Sequence, residues 1–299
     1  MQNEKIFPHR WTRRDFLKVS GMAAASLAVP SFSLAKETNP PIRIGSGHHT
    51  YELVEGWGKL PNGEPYGLGC GIAVDGKDRI YVLTRTKPGL AIFDRAGKLV
   101  ELWQEEEAVK KGLANDTFTA TAHGLYWSKE NGKEYLYFTE NKAKTGTSGR
   151  LVTKTDLKGN VLLRIGNVTE ESKTAIKFTF DNPTDVAIAA NGDIYVVDGY
   201  GSQLVHRFDK NGKLIKTIGG RTEKAAVGPN APHGTFNTCH GVWISTLNKT
   251  PEIYIADRNN KRVEIYSMDL EYRRTLKDDV RNPCCFYQHK ECLYIPDLD

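Results

Sequence analysis

The sequence predicts an all-β protein, a β-propeller of the six-bladed type with about five blades visible in the chain. Three observations lead there. A pattern of short strands separated by Asn-Gly or Asp-Gly turns recurs along the 299 residues. Each copy carries an apolar–Tyr–apolar run, and Tyr81, Tyr137, Tyr195, Tyr254 and Tyr294 align at separations of 40–59 residues. Helix-period segments are scarce, the best being Gln104 to Gly112. About four short strands per 40–60 residues is the signature of a propeller blade, whose faces are buried only against neighbouring blades.

Composition narrows the class. Hydrophobic residues make up 39 %, aromatics 10 % and charged residues 26 %, an ordinary globular mixture rather than a disordered one. No 18-residue apolar run occurs, so a bundle of membrane-spanning helices is excluded.

Residues 1–35 stand apart as a twin-arginine signal peptide. Thr12-Arg13-Arg14-Asp15-Phe16-Leu17-Lys18 resembles the twin-arginine export signal. A mildly apolar stretch from Val19 to Val29 follows, and Ser33-Leu34-Ala35 closes it with small residues at the positions a signal peptidase reads. A basic amphipathic helix at the terminus of a cytoplasmic protein is the alternative. With no Cys in this segment, a stable membrane anchor is not expected. The expected location is periplasmic or secreted, with the twin-arginine export machinery as a partner. The formal charge of +5 falls to about +2 once these residues leave, and a nearly neutral body gives no electrostatic case for nucleic acid.

Residues 36–299 are expected to form a single propeller short of its last blade. Its opening segment, Ile42 to Leu60, could supply one outer strand to the ring. The second strands are Arg79–Leu83, Glu134–Phe138, Asp193–Val197, Glu252–Ala256 and Glu291–Ile295. Third strands ending in Phe93-Asp94, Thr155-Asp156 and Phe208-Asp209 lead into Gly-containing turns and a fourth apolar strand, such as Leu214–Ile218. The fifth copy reaches only its second strand. Five cysteines, Cys70, Cys239, Cys284, Cys285 and Cys292, match no zinc-finger spacing. An odd count leaves at least one thiol unpaired, and they read as small buried hydrophobes with room for one bridge.

First strands line a propeller's channel, so their starting residues face one another. The equivalent dipeptides are Cys70-Gly71, His123-Gly124, Thr184-Asp185, His240-Gly241 and Pro283-Cys284. His123 and His240 each lie 14 residues before their aligned Tyr. Two imidazoles so placed can share one ion, since neutral histidine is a common zinc ligand; two unrelated loop histidines are the alternative. Second-strand ends bring Thr84-Arg85, Glu140-Asn141, Asp198-Gly199-Tyr200 and Asp257-Arg258 to the same mouth. Two guanidiniums suit a carboxylate, and a phenol beside a cation can act as a base. Alternatively, the aspartates cap turns and the arginines make salt bridges.

The segment FDNPTDVAIAANGDIYVVDGYGSQLVHRFDKNGKLIKTIG (Phe180 to Gly219), followed by GTFNTCHGVWI and YIADRNNKRVEIY, resembles the NHL-type propellers, and among them the peptidyl-α-hydroxyglycine α-amidating lyase family. The resemblance runs over about residues 50–299. It implies that His123 and His240 are two of three zinc-binding histidines, that Tyr200 is the catalytic base, and that Arg85 and Arg258 line the substrate site. It further implies a structural calcium at the carbonyl of Leu125, with Ile72 as the counterpart in the first blade. The third zinc histidine of that family belongs to a sixth blade, past Asp299. At Gly201 the family has a half-cystine, and at Cys239 a proline. The expected activity is zinc-dependent cleavage of a carbinolamide C–N bond to an amide and glyoxylate, on a small-molecule or peptide substrate with a carboxylate. A non-catalytic propeller that binds a peptide, glycan or protein is the rival expectation, and another metal-dependent hydrolase or lactonase a weaker third, because no obvious cluster of channel-facing carboxylates is present for calcium.

Overall fold

The computed structural model describes residues 40–104, 110, 113 and 120–298. The signal segment and most of Gln104 to Gly112 lie outside the described residues. The chain divides into two units, residues 1–54 and 55–299. In the first unit, β1 (Arg43–Ser46) and β2 (His49–Glu52) form an exposed antiparallel hairpin. These strands pair only with each other, so Ile42 to Leu60 does not extend a blade.

The second unit is a β-propeller of four blades followed by a strand pair. The first blade is β3 (Gly69–Val74), β4 (Ile80–Thr84), β5 (Leu90–Phe93) and β6 (Leu99–Trp103). The second is β7 (Ala122–Glu130), β8 (Lys133–Glu140), β9 (Leu151–Asp156) and β10 (Val161–Gly166), with β11 (Ala175–Lys177) added in parallel to β10. The third is β12 (Asp185–Ile188), β13 (Ile194–Val197), β14 (Leu204–Phe208) and β15 (Leu214–Gly219). The fourth is β16 (Cys239–Ser245), β17 (Glu252–Asp257), β18 (Arg262–Ser267) and β19 (Tyr272–Leu276). The fifth copy is the two-stranded sheet β20 (Tyr287–His289) and β21 (Cys292–Tyr294). Each blade is an antiparallel meander, as short turns between sequential strands dictate. No described helix is long and apolar enough to cross a membrane.

The hairpins between third and fourth strands follow from turn chemistry. Asp94, Asp156 and Asp209 each accept a backbone N–H four residues on, at 2.9 Å. Gly97, Gly159 and Gly212 take φ of +83°, +86° and +84° three residues after those aspartates, the left-handed conformation glycine adopts without steric cost. In the fourth blade Ser267 plays the aspartate's part, accepting from Asp269 and Glu271.

Apolar clusters lie between blades. Tyr81, Leu83, Leu90, Ile92 and Trp103 of the first pack on Leu125, Leu136 and Phe138 of the second. Tyr137, Val152 and Ile165 meet Val186, Ile194, Val196 and Phe208. Tyr195, Val197 and Val205 meet Val242, Ile253 and Ile255, and Tyr254, Val263 and Ile265 meet Phe286. Four of the aligned tyrosines, Tyr81, Tyr137, Tyr195 and Tyr254, sit in these seams. Tyr81 and Tyr137 donate to Asp75 (3.1 Å) and Glu130 (2.8 Å) within their own blades, whereas Tyr195 donates to the Met268 carbonyl of the next blade at 2.6 Å. All five cysteines are free.

Candidate functional site

Inner strands β3, β7, β12 and β16, with residues 284–287, line a central cavity of about 150 Å³. At its mouth the register shifts in three blades. Cys70, His123 and His240 are each the extra residue of a β-bulge, flanked by the pairs Gly69↔Thr84 and Gly71↔Leu83, Ala122↔Glu140 and Gly124↔Thr139, and Cys239↔Asp257 and Gly241↔Ala256. A bulge re-aims its side chain. The third blade begins its ladder at Asp185↔Val197 without a bulge.

The two histidines come together as the register predicts. Their ring centroids are 4.9 Å apart. His123 Nδ1 lies 2.6 Å from the Thr184 carbonyl, and His240 Nδ1 lies 2.7 Å from the Cys284 carbonyl. A carbonyl can only accept, so each Nδ1 carries the proton and each Nε2 presents a lone pair. This is the arrangement by which a protein fixes the tautomer of a metal-ligating histidine. His123 Nε2 is buried with no hydrogen-bond partner, which is costly unless a ligand meets it. Burial, reinforced by His240 and Arg85, pushes His123 down to about 3. Burial likewise lowers His240 to about 4. Both imidazoles are therefore neutral and able to donate electron pairs at physiological pH.

Tyr200 joins them from the turn after β13. Its hydroxyl donates to His240 Nε2 at 2.9 Å, and its ring stands edge-on to His123 at 5.1 Å. Arg258, beginning the turn after β17, donates to the Tyr200 hydroxyl at 3.4 Å and lies over the ring at 5.4 Å. Arg85 acts electrostatically on both histidines and on the Cys70 thiol, whose own hydrogen bond goes to the Leu83 carbonyl at 3.5 Å. Burial pushes that thiol up to about 12, so it stays protonated. Ile72 and Leu125 line the cavity below the mouth.

The aspartates at the second-strand ends hold backbone instead of facing the mouth. Asp198 accepts from Asp181 and Asn182 N–H at 2.8 and 2.5 Å, and Asp257 from Asn237 N–H at 2.8 Å. Asp198 also accepts from Ser202 Oγ of its own turn, and Asp257 from Asn260 Nδ2 and Arg262 Nε, each at 2.8 Å. Asp185, paired with Thr184 in the channel register but given no role by the sequence, is the carboxylate lining the cavity. It accepts from Val186 and Val242 N–H at 2.9 and 3.0 Å, yet burial raises it to about 7. Among the described residues, no group of three or more His, Cys, Asp or Glu assembles around one point. The protein therefore sets two neutral imidazoles side by side, with the Tyr200 phenol against them.

The fold and the repeated strands define a β-propeller, and the NHL repeat family matches residues 180–208. That match covers the third blade's first three strands and includes Tyr200. NHL repeat-containing protein 3 of Homo sapiens is 26 % identical over 226 residues, 73 % of this chain and 57 % of that protein. The chain thus spans a little over half the length of that relative. The probable peptidyl-alpha-hydroxyglycine alpha-amidating lyase pgal-1 of Caenorhabditis elegans is 39 % identical over 98 residues, 32 % of this chain and 26 % of that protein. Among solved structures, a nidogen/laminin complex superposes with a TM-score of 0.50 at 12 % identity, covering 77 % of this chain and 72 % of that one, a likeness of fold alone.

Proposed function

We propose that this protein is an exported, metal-dependent lyase-like propeller that cleaves the carbinolamide C–N bond of an N-acyl-α-hydroxyglycine. The observation that carries the reading is the convergence of two Nε2 lone pairs with the Tyr200 hydroxyl and Arg258 at one mouth. In the reaction the C–N bond breaks, the hydroxyl carbon becomes the aldehyde of glyoxylate, and the hydroxyl proton ends on the amide nitrogen. Tyr200, as the phenolate beside the Arg258 guanidinium, would take that proton and return it to nitrogen. Arg258 and Arg85 would hold the substrate carboxylate. A zinc ion held by His123 and His240 supplies Lewis-acid polarisation of the substrate hydroxyl when bound. Calcium at the carbonyls of Ile72 and Leu125 belongs to the same reading. Export by the twin-arginine route, guided by residues 1–35, places the reaction in the periplasm or outside the cell.

The test is glyoxylate release from N-benzoyl-α-hydroxyglycine by the full chain loaded with zinc. Tyr200→Phe is expected to lower kcat by about 10²–10⁴-fold, the usual worth of a positioned acid–base group. No glyoxylate from protein with zinc bound sinks this reaction.

A second reading, a non-catalytic propeller that binds a peptide, glycan or protein partner, is favoured by one observation: two histidines without a third metal-binding side chain among the described residues. His123→Ala and His240→Ala separate the two. Loss of zinc, measured by elemental mass spectrometry, supports the lyase reading, and zinc content unmoved by either change supports the second.

A further inference from the structure

Gln203 lies at the junction of β13's turn and β14, two residues before Val205. It is 2 % exposed and takes a φ of +63°. That left-handed backbone is uncommon for a residue with a side chain, but Arg150 and Lys261 take it too, at φ of +59° and +58° just before β9 and β18, so the turn between second and third strands sets it. What distinguishes Gln203 is its amide. Nε2 donates to the Gly199 carbonyl at 2.7 Å and the Gly201 carbonyl at 3.3 Å, the residues on either side of Tyr200. Oε1 accepts from Thr238 N–H at 2.6 Å and Cys239 N–H at 3.3 Å, the two residues before His240. One side chain therefore ties the turn bearing Tyr200, in the third blade, to the lead of the strand bearing His240, in the fourth. All four of its hydrogen-bonding positions are used.

Two other bonds cross this seam, from Thr184 Oγ1 to the Cys239 carbonyl at 3.2 Å and from the Cys239 thiol to the Leu204 carbonyl at 3.9 Å, but neither reaches residues 199–201. The two loops touch directly where an added Cβ on Gly199 would fall 2.0 Å from the Cys239 carbonyl oxygen, so the backbones are in contact but share no backbone hydrogen bond there. Arg221 supports the Gly201 carbonyl from the solvent side at 2.8 Å. The contact of the Tyr200 hydroxyl with His240 Nε2 at 2.9 Å, which a metal on Nε2 would replace, spans the same seam.

We infer that Gln203 is a positioning residue, which sets the place of Tyr200 relative to His240 by clamping both backbones from behind. The inference rests on the lyase reading for its catalytic meaning, and on geometry alone for the clamp. Partners one shell away from a metal-ligating group typically matter by about 10–100-fold in affinity or activity. Where the wild-type chain releases glyoxylate, Gln203→Met is expected to lower kcat within that range, with KM changed less than about twofold.

The deciding experiment needs no activity. Imidazole ¹⁵N resonances of the full, metal-free chain are recorded for wild type, Tyr200→Phe, Gln203→Met and Gln203→Glu. Tyr200→Phe marks the His240 Nε2 signal by removing its donor. Gln203→Met keeps the volume and deletes both ends of the clamp. Gln203→Glu keeps the acceptor end and sets an oxygen against the Gly199 and Gly201 carbonyls. Both Gln203 variants are expected to shift His240 Nε2 in the direction of Tyr200→Phe, while His206, in the body of the third blade, keeps its signal. A folded variant whose His240 signal stays at the wild-type position overturns the inference. So does movement of His206 alongside His240, or failure of both variants to fold, either of which makes Gln203 a support of the fold alone. Wild-type protein that releases no glyoxylate overturns the lyase reading and leaves this comparison intact.

Discussion

His206 shows how burial sets the acid response of the molecule. Its imidazole lies among Phe178, Phe180 and Phe208, with ring centroids at 5.1, 5.7 and 6.1 Å. Only Thr217 Oγ1 meets it, at 3.0 Å from Nδ1. Burial lowers it to about 4, as burial lowers His123 to about 3 and His240 to about 4. A histidine whose folded pKa lies below its unfolded value of 6.5 contributes no penalty above pH 6.5. Below that value the unfolded chain takes up a proton that the folded chain refuses, and stability falls until the folded pKa is passed. Asp185 and Asp257, raised by burial to about 7 and about 6, work oppositely: they favour the folded state at low pH, and that contribution is lost as pH rises from about 3.8 through 6 to 7. Three protons against two leave a net of about one that opposes folding near pH 5. Stability of the metal-free chain is therefore expected to fall between pH 6.5 and 4, measured by urea unfolding at a series of pH values. His206→Leu should make that slope shallower by up to one proton, about 1.4 kcal/mol per pH unit. An unchanged slope would mean His206 is protonated in the folded state.

The inner strand is the element that makes the mouth, and its glycines show why the bulge residue is followed by the smallest side chain. An added Cβ at Gly71 would lie 2.7 Å from Leu125 Cβ. At Gly124 it would meet Thr139 Oγ1 at 2.5 Å and Asp185 Oδ1 at 2.8 Å, and at Gly241 the Cys284 carbonyl oxygen at 2.5 Å. Each glycine is thus the point where one inner strand touches the next around the channel. Gly124→Ala is expected to destabilise by about 1–3 kcal/mol, the usual cost of overpacking, and to lower the melting temperature by several degrees. A melting temperature within a degree of wild type would show that the strands can part. This crowding also explains what the sequence revealed of the site. The His-Gly dipeptides, Tyr200 and Arg258 were legible because one repeated strand places them in one register, and the channel then brings them into contact. The Asp-x-x-Gly hairpins were legible because their turns are local. Gln203 was not, since its four hydrogen bonds run to two blades and no spacing records them. The bonds of Asp198 and Asp257 escaped for the same reason, because they run to backbone N–H groups 16–20 residues away.

At the scale of the whole propeller unit, each blade is stabilised by the blades beside it, so stability should vary with position along the series. Blades two and three have apolar clusters on both sides, and the seam between the third and fourth blades has polar ties as well. Arg207 joins Asp193 of its own blade at 2.7 Å to Asp269 of the next at 2.6 Å, and Lys216 bonds the Asp269 carbonyl at 2.9 Å. The strand pair β20–β21 has only three residue pairs in its ladder, and its residues are partly or fully exposed. The repeat pattern made the series of blades legible, but not which segment would join which sheet. Ile42 to Leu60 reads as a strand candidate, yet β1 and β2 pair with each other, a choice made by the local Gly-containing turn and not by blade periodicity. In a protein where units gain stability from neighbours, opening begins where neighbours are fewest. Hydrogen exchange followed by mass spectrometry should therefore show a gradient. Amides of β20–β21 and of the β1–β2 hairpin should exchange first, and those of β8, β13 and β17, which are paired on both sides and buried, should exchange last. Tyr195→Phe removes the bond to the Met268 carbonyl without changing the ring's packing, and should speed exchange in β13 and β18 together while leaving β4 unchanged. Equal acceleration in all blades would instead mean that the propeller opens as one cooperative unit.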